Sequence, residues 1–201
     1  MKISVLIEGR TEMAFKPHLQ VFLKHRISVG SLPKLDFFTC DGRVYTGDKL
    51  KRTVQELLTL GKSDFVIALT DVYTGTNEFS DAHDAKTKMK RWVGDEPRFF
   101  PHAAQHDFEA WLLPYWPTIQ QLAKHNKSSP SGQPESVNHG NPPSYRIKEI
   151  FEIGKCRDSY NKPRDANRIL KDQDLTVAAL KCPELRSFLN TFLSLCGAPA
   201  I

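Results

Sequence analysis

The apolar positions of the first 125 residues switch repeatedly between two periods. Residues 2–7 (Lys-Ile-Ser-Val-Leu-Ile) form a nearly continuous apolar run, the pattern of a strand buried on both faces. Residues 11–26 then place Phe15, Leu19, Phe22 and Leu23 on one helical face. The alternation continues with a strand over 34–40, entered through Pro33. A helix over 48–60 follows, with Leu50, Val54, Leu57 and Leu58 turned inward and Gly61 as its stop signal. Residues 64–70 (Asp-Phe-Val-Ile-Ala-Leu-Thr) are the most hydrophobic strand. A helix over 81–93, a strand over 98–104 and a helix over 107–124 complete the series. Repeated βα units predict an α/β fold with a mainly parallel sheet of at least four strands covered by helices on both faces.

The pattern breaks after that. Residues 126–144 are rich in Ser, Asn, Gly and Pro (Pro130, Pro134, Pro142, Pro143) and have no period, which predicts a long, exposed, flexible loop. Beyond it, residues 145–153, 162–170 and 183–195 read as short helices. Lys148, Lys155, Arg157, Lys162, Arg164 and Arg168 make that region basic. The predicted organisation is an α/β domain over 1–125, a loop over 126–144 and a helical carboxyl-terminal lobe over 145–201 packed on the same domain.

Acids stand where the strands end. Glu8 follows the first strand directly, Gly9 makes the turn, and Glu12 lies one helical turn into the next element. Asp71 follows the third strand in the same way. Ligand chemistry in open α/β sheets gathers at the carboxyl ends of strands. Two acids there repel each other unless a cation, a proton or a basic side chain lies between them, and a divalent metal ion is the most economical partner. Glu is a weak strand residue, so strand composition does not explain Glu8, whereas Glu12 also fits the ordinary preference of acids for the first turn of a helix. Asp71 has a plain reading as a turn former in Asp-Val-Tyr-Thr-Gly-Thr. Asp107 and Glu109, in His106-Asp107-Phe108-Glu109, fit both a helix cap with a first-turn acid and a site beside the fourth strand, and the residues alone leave this open. His18, His25 and His125 read as surface or boundary residues, and His83, His102 and His139 carry no spacing signal.

Bulk properties narrow the classes. The 201 residues carry 28 Lys and Arg against 23 Asp and Glu, a formal charge of +5, and such a surface attracts polyanions, though without specificity. No apolar run approaches the roughly 20 residues of a membrane span and the amino terminus lacks the form of a signal peptide, so a cytoplasmic protein is expected. Cys40, Cys156, Cys182 and Cys196 make no Cys-x-x-Cys pair and no zinc spacing, which fits reduced thiols. A haloacid-dehalogenase phosphatase would need an Asp-x-Asp motif on its first strand; the one comparable site, Asp71-Val-Tyr73, lies on the third.

The acid pattern resembles the Toprim domain of topoisomerases, primases and OLD-type nucleases. Closer still, Glu8-Gly-Arg-Thr-Glu12, Thr70-Asp-Val-Tyr-Thr-Gly75 and Gln105-His-Asp-Phe-Glu-Ala-Trp-Leu-Leu113 resemble an uncharacterised bacterial Toprim-like family. The similarity extends through Glu135-Ser-Val-Asn, Tyr160-Asn-Lys-Pro and Cys182-Pro-Glu-Leu. That resemblance implies a metal-dependent nuclease hydrolysing phosphodiester bonds of nucleic acid, using Mg²⁺ or Mn²⁺, and acting in phage defence with an ATPase of the ABC/SMC type. Glu8, Glu12 and Asp71 match metal ligands of OLD-type nucleases, with Glu8 and Asp71 central to catalysis. Tyr73 stands where a full Toprim domain has its second Asp, and Asp107 or Glu109 would supply the missing ligand. Lys162 or Arg164 would neutralise charge developing on the phosphate. The alternative is a non-catalytic Toprim-like module that binds an ATPase partner or nucleic acid, and Tyr73 is the residue that favours it.

Overall fold

The computed structural model describes residues 1–27, 32–73, 75–138, 140–155 and 159–201. His139, Cys156 and Arg157, singled out above for an imidazole, a thiol and a basic charge, lie outside the described residues. Four parallel strands form one sheet in the order β2-β1-β3-β4, with β1 at Lys2–Ile7, β2 at Lys34–Thr39, β3 at Phe65–Asp71 and β4 at Phe99–Ala104. The two central strands carry the most apolar sequences, and Ile3, Val5, Ile7, Val66, Ile67 and Ala68 are completely buried. Pro101 falls in β4, at the sheet's edge, where a missing N–H breaks no ladder between central strands.

Helices α1 (Arg10–Arg26), α2 (Gly47–Thr59) and α3 (Ala82–Val93) connect successive strands. One core gathers Phe15, Leu19 and Leu23 of α1 with Ile3, Val5 and Ile7 of β1 and with the carboxyl-terminal helices. A second packs Leu50, Val54 and Leu58 of α2 and Met89 and Val93 of α3 against Leu6, Val66 and Ala68. Odd and even positions of β1 thus serve opposite layers, as period-two alternation requires.

The helix predicted over 107–124 is instead two 3-10 turns, Phe108–Trp111 and Leu113–Tyr115, leading into a short α4 (Trp116–Ala123). Pro114 and Pro117 have no N–H to donate, so one continuous ladder cannot run through them. The predicted exposed loop is also less exposed than its composition suggests: Pro134–Ser136 forms a 3-10 turn, and Pro134, Glu135 and Val137 are buried. Charge and hydrogen bonding explain this. The Glu135 carboxylate accepts hydrogen bonds from Trp111 Nε1 at 3.0 Å and from the backbone N–H groups of Glu184 at 3.1 Å and Leu185 at 3.3 Å, capping a helix amino terminus with an anion.

The carboxyl-terminal region holds α5 (Pro143–Ile153), α6 (Lys162–Leu170), α7 (Leu175–Ala179) and α8 (Pro183–Leu195). Phe188 and Phe192 of α8 are fully buried, and Phe188 makes ring contacts with Phe15 and Trp111. The helices therefore share the core of the sheet. Gly154, next after α5, lies against the end of α4 so tightly that a Cβ there would sit 1.8 Å from the Ala123 carbonyl oxygen. Among the described residues no helix is long and apolar enough to cross a membrane. Cys40, Cys182 and Cys196 are free thiols.

Candidate metal centre

β1 delivers Glu8 to the carboxyl edge of the sheet, and parallel pairing with β3 places it beside the end of that strand. Glu8 Oε1 accepts from the Thr70 hydroxyl at 2.6 Å and from the Asp71 N–H at 2.7 Å. Glu8 and Asp71 are therefore immediate neighbours. Glu12 has a structural task as well: its Oε2 accepts the Gly9 N–H at 2.9 Å, satisfying a donor at the start of α1.

Beyond Asp71 the chain stays zipped to the segment after β4. Val72 N–H donates to the Ala104 carbonyl at 3.1 Å and Tyr73 N–H to the His106 carbonyl at 2.7 Å. His106 adopts a left-handed φ of 69°, which ends the strand and turns the following residues toward the same edge. Asp107 and Glu109 are thereby buried, at 3% and 1% exposure. Asp107 Oδ2 accepts the Ser144 N–H at 3.1 Å, while its Oδ1 is buried without a partner. Glu109 is held by Lys162 Nζ at 3.1 Å and by the Tyr160 hydroxyl at 3.2 Å.

These groups act on one another electrically. Burial, with repulsion from Glu12, lifts Glu8 to about 7 against the pull of Thr70, the Asp71 N–H and Lys162. Burial and then Asp107 lift Glu109 to about 7. Asp71 is raised well above the ordinary carboxylate range by burial and by Glu8, Glu12, Asp107 and Glu109 together. Glu12 and Asp107 are raised mainly by burial. Burial alone would lower the Lys162 ammonium, but Glu109 and Asp107 outweigh it and hold the proton on.

Among the described residues, no three acidic, His or Cys side chains are yet gathered closely enough to hold an ion. The hydrogen bonds account for this: Glu12 is turned to Gly9, one oxygen of Glu8 to Thr70 and Asp71, and Glu109 to Lys162. A cleft of about 730 Å³ lies elsewhere, between α1 and the α6–α7 corner, and contains none of these carboxylates.

Two buried acids with structural tasks escape sequence reasoning. Asp165, completely buried, binds Arg164 and Arg168 and accepts the Asn161 N–H at 2.8 Å, fixing the start of α6 and with it Lys162. Its signal was Asn161 as a helix cap with an acid in the first turn. Glu135 had none beyond its place in a motif. Arg164, paired with Asp165 and donating to the Ser159 carbonyl, serves this scaffold.

Residues 7–193 match the sequence profile of a domain of unknown function, DUF4276. The chain belongs to the DUF4276 family. No curated protein matches it. Its fold is similar to the C-terminal region of the Burkholderia pseudomallei OLD protein, with a TM-score of 0.55 and 12% identity over 96% of this chain and 98% of that one. It is also similar to the C-terminal region of the Xanthomonas campestris pv. campestris OLD protein, at a TM-score of 0.50 and 11% identity over 97% and 96% of the two chains. At such identities the likeness establishes the α/β Toprim-like architecture. The residues themselves must carry the chemistry of this DUF4276 domain.

Proposed function

We propose that this DUF4276 domain is a divalent-metal-dependent nuclease. The observation that carries the reading is the crowding of five acids at one edge: burial raises Glu8, Glu12, Asp71, Asp107 and Glu109, the other four raise Asp71 further, and Lys162 is a cation that answers them. The donor set fits Mg²⁺ or Mn²⁺, since it is made of hard carboxylate oxygens and includes the orphaned Oδ1 of Asp107. Those five residues would hold the ions. Ions bound there would activate water and stabilise the oxygens of an in-line phosphoryl displacement.

The chain's own groups have separable roles. Thr70 and the Asp71 N–H orient Glu8, the Ser144 N–H orients Asp107, and Asp165 fixes the helix start that carries Lys162. Lys162 offers a protonated ammonium to a phosphate entering beside Glu109. The excess of basic residues and the basic α5–α6 region supply the sequence-independent attraction of a nucleic acid backbone. The resemblance of its motifs to a Toprim-like family often encoded beside ABC/SMC-type ATPases supports work alongside such an ATPase.

A second reading, a non-catalytic module that binds an ATPase partner or nucleic acid, is favoured by Tyr73 and by the ungathered carboxylates. Calorimetry with Mn²⁺, paired with cleavage of plasmid and single-stranded substrates, separates the two. Glu8→Gln keeps the shape and the acceptor but removes the charge; it should lose Mn²⁺ binding and cleavage while remaining folded. Equal Mn²⁺ binding by wild type and Glu8→Gln would leave the non-catalytic module as the account.

A further inference from the structure

Two exposed tyrosines lie within two residues along the chain of groups in the carboxylate cluster or bound to it. Tyr73, two residues beyond Asp71, is 44% exposed, unlike the core aromatics. One side of its ring meets the His106 imidazole, with centroids 5.2 Å apart and planes tilted by 47°. Its hydroxyl accepts a hydrogen bond from the Asn138 side-chain amide at 2.7 Å, and its N–H donates to the His106 carbonyl at 2.7 Å. Backbone and both ends of the side chain are thus anchored while much of the ring is left bare. Tyr145 is equally exposed at 44%, with the Arg146 guanidinium 5.8 Å from its ring centre. It follows Ser144, the residue whose N–H binds Asp107. Tyr73 thus meets the His106 ring directly, and Tyr145 lies one residue along the chain from the Ser144 N–H that binds Asp107.

Open rings fixed in this way lose apolar surface to water with no core to reward them. A duplex offers a protein its phosphates and base edges, but its base faces are stacked inside. An unpaired strand offers the faces themselves, and stacking on aromatic side chains is how such strands are gripped without regard to sequence. We propose that Tyr73 and Tyr145 form a base-stacking subsite that holds an unpaired nucleotide beside the carboxylates, so that single-stranded or frayed nucleic acid is the preferred ligand. The inference rests on the reading of the cluster as a nuclease centre for its purpose, and the stacking itself can be measured without turnover. It also assigns work to Tyr73 at the position where the Toprim pattern has an acid.

The test uses the full chain with Ca²⁺ in place of Mg²⁺ or Mn²⁺, labelled single strands and matched duplexes, and a single strand carrying 2-aminopurine. Single strands should bind at least about tenfold more tightly than duplex, with 2-aminopurine emission quenched on binding. Tyr73→Ala should weaken single-strand binding about tenfold and abolish the quench while leaving duplex affinity unchanged. Tyr73→Phe should keep both, because the ring remains, and Tyr145→Ala should act in the same direction as Tyr73→Ala. Equal affinity for duplex, absence of quenching, or unaltered single-strand binding by both alanine variants overturns the proposal. Capture of a protein partner through these tyrosines, with no strand bound, also overturns it. Cleavage assays keep the two readings apart. A chain that stacks single strands and cuts nothing retains this subsite and defeats the nuclease reading. One whose duplex cutting equals its single-strand cutting, with Tyr73→Ala unchanged on both, does the reverse.

Discussion

Asp165 and Asp107 are both buried aspartates in the same core, yet the protein treats them in opposite ways. Asp165 is surrounded by Arg164, Arg168 and the Asn161 N–H, and its carboxyl is held below the usual range even though burial works against it. Asp107 is raised by burial although Ser144, Lys162 and the Ala110 N–H pull the other way, and its Oδ1 has no hydrogen-bond partner. Burial is common to the two; compensation is what differs. Two guanidinium groups outweigh burial at Asp165, whereas at Asp107 burial outweighs the groups that oppose it.

Removing the answered acid should have the largest effect on stability. Asp165→Ala deprives two guanidinium groups and one N–H of their shared acceptor, so unfolding in urea should show a loss of about 3 kcal/mol. A loss under about 1 kcal/mol would place Asp165 among ordinary surface pairs and erase the contrast.

Relieving the crowded edge should do the opposite. Glu8 and Glu109 ionise near 4.5 when unfolded and near 7 when folded. The folded state therefore binds more protons across that interval, and their contribution is full below 4.5 and declines as pH rises through 7. His102 runs the other way: burial lowers it to about 3, so its cost grows as pH falls below 6.5. Comparing variants isolates the acids. Without divalent cations, Glu8→Gln should be more stable than wild type at pH 8 by roughly 2 kcal/mol, and the gap should close by pH 5. Adding Mn²⁺ to one hundred times its dissociation constant should stabilise wild type by about 2.7 kcal/mol and leave Glu8→Gln unmoved. Identical pH profiles for the two proteins would mean that the acids do not repel.

The smallest change expected is in the stability of Lys162→Met, under about 1 kcal/mol, because the lysine side chain is nearly half exposed. Its signature lies in binding instead. The slope of log affinity for a single strand against log salt should fall by about 1, the loss of one phosphate contact. An unchanged slope would confine Lys162 to its bridge with Glu109.

The strands and the first three helices were legible because periodicity survives tertiary context when elements are long and strongly apolar, as in Val66–Leu69 and in the inward face of α2. Glu8 and Asp71 were legible as candidates because an acid at the end of a buried strand has no packing reason to be there. The segment after β4 misled, since Phe108, Trp111 and Trp116 mimic a helical face while Pro114 and Pro117 prevent one. Glu135 and Asp165 stayed hidden for another reason. Their partners lie on other elements or in backbone N–H groups, and neither spacing nor composition encodes a bond across 49 residues, such as that from Glu184 to Glu135. Reading also stops short of the contact between Tyr73 and Asn138, which joins the end of β3 to the proline-rich segment.

Because the backbone at Gly154 touches that at Ala123, the ends of α4 and α5 are clasped together on either side of the proline-rich stretch. In modular terms that stretch is a cassette. It carries Asn138, which binds Tyr73, Ser144, which binds Asp107, and Glu135, which holds the start of α8, while the strands that carry Glu8 and Asp71 belong to the chassis. The cassette closes only on a residue without a side chain, since a Cβ at Gly154 would strike the Ala123 carbonyl.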